Sequence, residues 1–462
     1  MKLFGTAGIR GRINEYLTPE FALRVGEAFG HYIGQGAKVA VGRDSRFGAQ
    51  SIAMAFISGL NSQGVNVDYC DILPTPGLAS YIVDQKLPGG AMITGSHTPP
   101  EISGIVLMNS DGSDIGGDTG KKIERIFFRR EYLRTRASME KFGNFVNLFA
   151  LNVYANILRS SVNFERLKSG RYRVLVDPVN GCAHQILPKI LMSAGCEVLT
   201  INAIPSPLPE RRPEPRKHTL QKTAEKVVAE NCDIGIATDT DADRVLFITK
   251  EGEVISEDVI AAIFAREILS QKKGKIVTPI NSSGLISWVA NQFGVDVVGT
   301  RIGPPEISIA IRQNPDTVFA YEETGKYFFI PRMFADGLLS TLKLLEILIN
   351  HGKTLKEISE EFPKFYQRKE AVYCEDKLKA KVMVQVYKIM KTEFSANTIL
   401  KIDGYKVCFD DNSWLLVRKS GTEPLIRVFS DAPSEERANA LVEKGLKILN
   451  QAMEDVKKKA IV

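Results

Sequence analysis

Cysteine is scarce and unpaired in this chain: there are six in 462 residues (Cys70, Cys182, Cys196, Cys232, Cys374 and Cys408), and none forms a C-x-x-C pair. That spacing excludes a zinc ribbon and signals no disulfide framework, so thiols in or beside apolar runs read as buried and free. Long hydrophobic runs are missing too. Stretches such as 145–153 are broken by asparagine, far short of the roughly 20 apolar residues that span a bilayer. The opening Met1-Lys2-Leu3-Phe4-Gly5 meets glycine before an apolar signal core can form, so no membrane partner is expected and a cytoplasmic location is the default. A strong charge of one sign is also absent. The net charge is +6, and the densest basic run, 210–217, is interleaved with acids. This is not the footprint of a nucleic-acid binder and suits a small anionic substrate better. What remains is an ordinary globular composition, 44% hydrophobic and 25% charged, at a length that implies several domains.

One pattern occurs three times. A β-branched strand ends in a polar turn, a helix follows, and a second strand closes the unit. The copies run through strands at 38–44 and 65–69 around a helix near 49–64, strands at 172–178 and 196–200 around a helix near 183–194, and strands at 275–279 and 295–299 around a helix near 285–293. Each is about thirty residues, the size of a βαβ crossover. Their nearly continuous apolar strands fit sheets covered on both faces. The fold class expected is therefore α/β: three related α/β domains, each presenting a loop at the carboxyl ends of its strands to a central cleft. The last part differs, with strand-like runs at 398–402, 406–409, 414–417 and 426–429 between helices near 376–392 and 434–453. It predicts a C-terminal α+β domain. The domain boundaries expected are 1–150, 151–252, 253–365 and 366–462. Thr18-Pro19-Glu20 predicts a capped helix from there to about Tyr32.

Four loops carry candidate chemistry. Asp239-Thr240-Asp241-Ala242-Asp243-Arg244 lies between two apolar strands. Three carboxylates at alternate positions repel one another and call for a cation. A calcium EF-hand is excluded, because its sixth position would be Arg244 and its twelfth Lys250. A magnesium site with open positions for a phosphate is one reading, and a solvated acidic turn countered by Arg244 is the other. Thr94-Gly95-Ser96-His97-Thr98-Pro99-Pro100 follows a small apolar strand. Ser96 reads there as a phosphoserine or as the polar cap of a helix. A nucleophile–base pair with His97 is disfavoured, because neighbours on an extended chain point opposite ways. Arg418-Lys419-Ser420-Gly421-Thr422-Glu423-Pro424, with Arg427 beyond, makes an anion nest or a tight hairpin with surface arginines. It lacks the G-x-x-x-x-G-K-[ST] pattern of nucleotide P-loops. Tyr321-Glu322-Glu323-Thr324-Gly325-Lys326 offers carboxylates and a hydroxyl to sugar hydroxyls, or to solvent.

Taken in this order, with the glycine-rich start Phe4-Gly5-Thr6-Ala7-Gly8-Ile9-Arg10-Gly11 and the R-x-P-E-P run at Arg212 to Pro215, the whole chain resembles the α-D-phosphohexomutase superfamily of phosphoglucomutases, phosphomannomutases and phosphoglucosamine mutases. The resemblance implies an intramolecular phosphotransferase with four domains around a cleft. It implies that Ser96 carries the phosphoryl group and that Asp239, Asp241 and Asp243 bind Mg2+, with Ser96 as a further ligand. Glu322 and Thr324 match the sugar loop. Arg418, Ser420, Gly421 and Thr422 match the loop for the non-reacting phosphate, beside Arg427, while Arg10 and Arg244 would flank the transferring group. A sugar bisphosphate would serve as activator, and a monomer or homodimer is expected.

The pattern also departs from the family. Ser103-Gly104-Ile105-Val106 stands where N-G-x-K is usual, so Val106 replaces a lysine assigned to proton transfer. Thr240 replaces glycine, Ala335 replaces an arginine, Pro304 stands where a basic residue is usual, and Lys326 ends the sugar loop where hexose mutases carry histidine. Lys326 or His97 is expected to take the proton-transfer role. A phosphoglucomutase/phosphomannomutase is the first substrate reading, with phosphoglucosamine mutase or phosphopentomutase as alternatives. A metal-dependent phosphomonoesterase and a non-catalytic sugar-phosphate binder are the readings from other classes.

Overall fold

The computed structural model describes residues 3–421 and 423–461. Nineteen strands form four sheets among these residues. The first sheet is built from β1 (Ile9–Arg12), β2 (Lys38–Arg43), β3 (Asn66–Ile72), β4 (Gly89–Ile93), β5 (Ile102–Asn109) and β6 (Phe145–Asn147), in the order β1-β5-β4-β2-β3-β6. The second comprises β7 (Arg173–Asp177), β8 (Glu197–Thr200), β9 (Ile234–Thr238) and β10 (Val245–Thr249), ordered β10-β9-β7-β8. The third has β11 (Lys275–Pro279), β12 (Val297–Thr300), β13 (Thr317–Glu322) and β14 (Lys326–Phe329), ordered β12-β11-β13-β14. The fourth, of β15 (Tyr366–Tyr373), β16 (Ile399–Leu400), β17 (Tyr405–Cys408), β18 (Trp414–Lys419) and β19 (Leu425–Ala432), is antiparallel in the order β15-β19-β18-β17-β16.

The three repeated units all form as parallel pairs, β2 with β3, β7 with β8 and β11 with β12. The helices between them span Ala49–Ser62, Ile186–Ser193 and Gly284–Phe293. Antiparallel partners make the first two sheets mixed: β5 against β1 and β4, and β10 against β9. The architecture is thus three α/β domains followed by one with an antiparallel sheet. Local signals explain the first helix, Pro19–Ile33: the Thr18 hydroxyl accepts from Phe21 N, proline sits in the first turn, and Val25, Ala28 and Phe29 bury one face. Strand β15 lacked a sequence signal, because none of its side chains is buried and no apolar alternation marks it.

The chain divides into two compact units. One takes the chain up to Glu257 together with Gly303–Pro315 and Ala320–Ser359; the other holds Asp258–Ile302, Asp316–Phe319 and the chain from Glu360 onward. In the first unit, a large core includes Ile9, Phe29, Val41, Phe56 and Leu107, all essentially inaccessible. In the second, Val386, Leu415, Val417 and Val428 centre the core. All six cysteines are free, and burial pushes the thiols of Cys70 and Cys196 up to about 12 and about 11, so both stay protonated. Among the described residues no helix is long and apolar enough to cross a membrane.

A carboxylate inside the second unit gives a pH-dependent stability. Asp431 accepts from Gly284 N at 2.7 Å, capping the helix Gly284–Phe293 from a neighbouring sheet. Burial, with Asp258 adding to it, raises its pKa to about 7 despite that bond. The unfolded chain, with an ordinary carboxyl at 3.8, then gives up this proton first, so Asp431 makes stability fall as pH rises from 3.8 to about 7. The denaturation midpoint of Asp431→Asn should lose that component of the slope between 3.8 and about 7 on the pH scale. An unchanged slope would show that Asp431 does not carry it.

Candidate active site

Three of the four sequence loops meet within the first unit. The metal-loop turn joins β9 to β10, and its backbone is held on both sides: Thr75 N donates to the Asp241 carbonyl at 2.9 Å, and Val245 N donates to the Gly325 carbonyl at 3.0 Å. Gly325 has a left-handed φ of +82°, and a Cβ there would crowd the Val245 carbonyl at 2.8 Å. Glycine therefore lets the sugar loop lie against the metal loop.

The serine loop joins β4 to antiparallel β5, with no helix following, so the helix-cap reading of Ser96 is not borne out. Ser96 is buried with φ +51°, a left-handed residue and not an extended one. That conformation brings His97 Nδ1 to 3.3 Å from Ser96 Oγ, so the argument from an extended chain against their proximity fails on backbone grounds. Ser96 Oγ nonetheless donates to Asp239 Oδ2 at 2.8 Å, across 143 residues of sequence.

What holds this loop was not foreseen. Arg46, buried at the end of the polar turn after β2, donates to the carbonyls of Thr98, Pro99 and Ile102 at 2.7, 2.8 and 2.7 Å, to the carbonyl of Ser96, and to the Thr98 hydroxyl at 3.1 Å. Asp44 accepts from Gly95 N at 2.9 Å and Arg46 N at 3.0 Å. A Cβ on Gly95 would run into the Arg46 guanidinium and the Ile102 carbonyl, so only glycine fits. Arg46 also reaches the hydroxyl of Thr240, the residue that replaces glycine in the metal loop, at 3.5 Å. The run Arg43-Asp44-Ser45-Arg46 was visible in sequence only as a polar turn.

The carboxylates form a compact set. One oxygen from each of Asp239, Asp241 and Asp243 lies within 4.8 Å of the others, and Asp241 Oδ1 and Asp243 Oδ1 are buried without a hydrogen-bond partner among the described residues. Burial, then Asp241 and Asp243, push Asp239 well above the usual carboxylate range, with Arg244 opposing. Burial acts the same way on Asp241, but the Thr75 hydroxyl at 2.7 Å, Lys326 and Arg10 hold it low. Crowded carboxylates with unmet oxygens and a serine hydroxyl beside them are a donor set for a hard divalent cation, and the trio can bind a metal.

Cations ring this set. Lys326 Nζ lies 2.6 Å from Asp243 Oδ2. Burial works to lower its pKa, yet Asp243 and other acids raise it, so Lys326 is an ammonium. Arg244 N donates to Asp239 Oδ1 at 3.2 Å, and its Nη2 is 3.5 Å from His97 Nε2. Arg10, in β1, donates to the Gly95 carbonyl and, at 3.0 Å, to that of Ala7. Burial, then Arg244, Arg10 and Lys326, push His97 far below its ordinary value, so its imidazole is neutral. In the sugar loop Glu322 is buried, and Thr324 donates to it from its hydroxyl at 3.3 Å and from its N–H to the carbonyl at 2.6 Å. Val106, in place of the family lysine, is buried beside Met92 across β4 and β5.

The fourth loop belongs to the second unit, between β18 and β19. Arg418 and Arg427 face each other across these strands, and each is offset by an acid: Asp403 lies 2.9 Å from Arg418, and Glu423 pairs with Arg427. Lys379 donates to the Ser420 carbonyl at 3.1 Å, and around Gly421 the space is open. Thr422 lies outside the described residues.

Phosphoglucomutase/phosphomannomutase family models match in order: α/β/α domain I over residues 1–134, domain II over 152–252, domain III over 256–366 and the C-terminal domain over 371–447. A "Probable phosphoglucosamine mutase" of Methanopyrus kandleri is 38% identical over 99% of both chains. A "Phosphoglucomutase/phosphomannomutase" of Thermococcus kodakarensis is 37% identical over 98% of this chain and 99% of its own. A "Phosphopentomutase" of the same organism is 32% identical over 99% of this chain and 100% of its own. The chain belongs to the phosphoglucomutase/phosphomannomutase family of the α-D-phosphohexomutase superfamily, isomerases that transfer a phosphoryl group within a sugar phosphate.

Proposed function

We propose that this mutase exchanges phosphate between the C1 and C6 (or equivalent) hydroxyls of a phosphohexose, as a phosphoglucomutase/phosphomannomutase, through a phosphate on Ser96. The observation that carries the reading is the Ser96 hydroxyl 2.8 Å from Asp239, in a trio that leaves two buried carboxylate oxygens unmet. Mg2+ on Asp239, Asp241 and Asp243, with Ser96 as a further ligand, would supply positive charge where the phosphoryl group leaves the serine.

The chain's own residues do the rest. Arg10 and Arg244 offer guanidinium donors to the equatorial oxygens of the moving group. Glu322 and Thr324 hold the sugar by its hydroxyls. Arg418, Ser420, Gly421, Thr422 and Arg427 hold the phosphate that does not react. The phosphoryl group passes from Ser96 to the free sugar hydroxyl, whose proton is lost. The bisphosphorylated sugar turns over, and its other phosphate returns to Ser96 as the sugar oxygen regains a proton. A sugar bisphosphate is therefore the primer. Lys326 or His97 takes the proton-transfer role vacated at Val106: Lys326 Nζ lies 2.6 Å from Asp243 and His97 Nδ1 3.3 Å from Ser96 Oγ, so both border the carboxylate trio.

A panel of hexose, hexosamine and pentose phosphates, primed with a sugar bisphosphate in Mg2+, tests the reading. Isomer without inorganic phosphate is expected, fastest with a hexose phosphate. Release of inorganic phosphate without isomer would instead mark a phosphomonoesterase. Lys326→Ala should lower kcat by about 10²-fold or more. Wild-type turnover in single-turnover kinetics would remove Lys326 from proton transfer.

A further inference from the structure

The R-x-P-E-P run, so far only a mark of resemblance, and Arg216 directly after it occupy a specific place. Glu214 Oε1 is shared by two arginines, Arg244 Nη1 at 2.9 Å and Arg216 Nη2 at 3.0 Å. Arg216 then turns its other amino group to Glu257 at 2.5 Å and to the carbonyl of Glu323 at 3.5 Å. Glu323 lies between Glu322 and Thr324, in the turn closed by the Thr324 N–H on the Glu322 carbonyl. One continuous set of polar contacts thus runs from the sugar loop through Arg216 and Glu214 to Arg244, whose backbone N–H is anchored on Asp239. All of these residues belong to the first compact unit.

We propose that Glu214 and Arg216 are positioning residues that make the placement of Arg244 depend on the sugar loop, an inference that rests on the phosphoryl-transfer reading above. The argument is geometric. A single carboxylate oxygen holds both guanidinium groups, so moving Arg216 redirects Glu214 and with it Arg244. The proline on each side of Glu214 removes a backbone N–H and fixes φ, so the response must come from the side chain. Arg216 is the one member that touches the sugar turn, and its planar fork serves Glu214 and Glu257 together, which a lysine ammonium cannot reproduce in the same geometry. A mutase needs such a link. Its phosphoserine must resist water while the sugar is absent, yet transfer quickly once the sugar hydroxyls are gripped, and a guanidinium displaced by about 1 Å is enough to change transfer by about 10²-fold.

The test uses the full-length protein phosphorylated on Ser96 with glucose 1,6-bisphosphate, and four variants: Glu214→Gln, Arg216→Ala, their double, and Arg216→Lys. Two rates are read. One is the loss of phosphate from Ser96 to water, with and without xylose, which offers hydroxyls but lacks the carbon that bears the C6 hydroxyl. The other is steady-state turnover of the best sugar phosphate in the panel. Xylose should accelerate phosphate loss in the wild type. In Glu214→Gln and Arg216→Ala that acceleration should vanish, with kcat down about 10²-fold and KM within about threefold. The double variant should be no worse than either single, as expected for members of one chain of contacts. Arg216→Lys, which keeps the charge and the fold, should still lose the acceleration. Wild-type acceleration in all four variants, or losses that multiply in the double, would overturn the relay alone. A wild type that takes no phosphate on Ser96 and makes no isomer would overturn the relay together with the reading beneath it.

Discussion

Ser96→Ala should abolish isomer formation, with kcat down by roughly 10⁶-fold, the scale on which loss of a covalent nucleophile acts in other enzymes. The expectation comes from what Ser96 Oγ does in the fold. Its hydroxyl donates to Asp239 Oδ2 at 2.8 Å from a buried, left-handed turn. The neighbouring hydroxyls are committed elsewhere: Thr75 Oγ1 donates to Asp241 Oδ2 at 2.7 Å, Thr94 Oγ1 accepts from Ser96 N at 2.8 Å, and Thr98 Oγ1 donates to Gly95 O at 2.7 Å. The stability cost should be small, about 1 kcal/mol, because Asp239 keeps the Arg244 N–H at 3.2 Å. The two readouts therefore separate. Intact mass after incubation with a sugar bisphosphate should show the wild type gaining one phosphoryl group and Ser96→Ala none, while their denaturation midpoints stay close. Phosphorylation of Ser96→Ala, or turnover near that of the wild type, would refute the phosphoserine route.

How much of this was legible in sequence depended on how local the cause was. The parallel pairs were readable because each unit carries its own apolar strands and turn within thirty residues. The helix at Pro19 was readable because Thr18, Pro19 and Glu20 are a local device. The aspartate trio was readable because alternate carboxylates between apolar strands have few other uses. β15 was not, because a half-exposed edge strand carries no periodic apolar face. Nor was Thr75, whose hydroxyl meets Asp241 across 166 residues, since a lone threonine before a proline reads only as a helix start. The Ser96–His97 geometry was misjudged because positive φ in a non-glycine residue is imposed by surrounding contacts and leaves no mark in the residue itself.

Arg46 is the largest feature sequence reasoning missed, and its removal should have the largest effect on stability. The serine loop wraps a guanidinium that donates to four backbone carbonyls, those of Ser96, Thr98, Pro99 and Ile102. A carbonyl turned inward in a loop needs a donor, and strands β4 and β5 cannot supply one past their ends. Asp44, fully buried 3.4 Å from Arg46, is the counter-charge; burial raises its carboxyl and Arg46 works against that rise. Arg46→Ala would strand both the carbonyls and the carboxylate, and should cost about 3–5 kcal/mol in urea denaturation, the range for breaking a buried ion pair from one side. Arg46→Lys keeps the charge, but three donors on a point cannot satisfy a forked set of acceptors. It should retain more of the stability while still lowering kcat by about 10²-fold, because Ser96 would no longer be held at the distance transfer requires. If Arg46→Ala unfolds within about 0.5 kcal/mol of the wild type, an ordinary surface-substitution effect, the loop must be held by its strands and prolines alone. In that case the placement of Ser96 against Asp239 would owe nothing to the buried guanidinium.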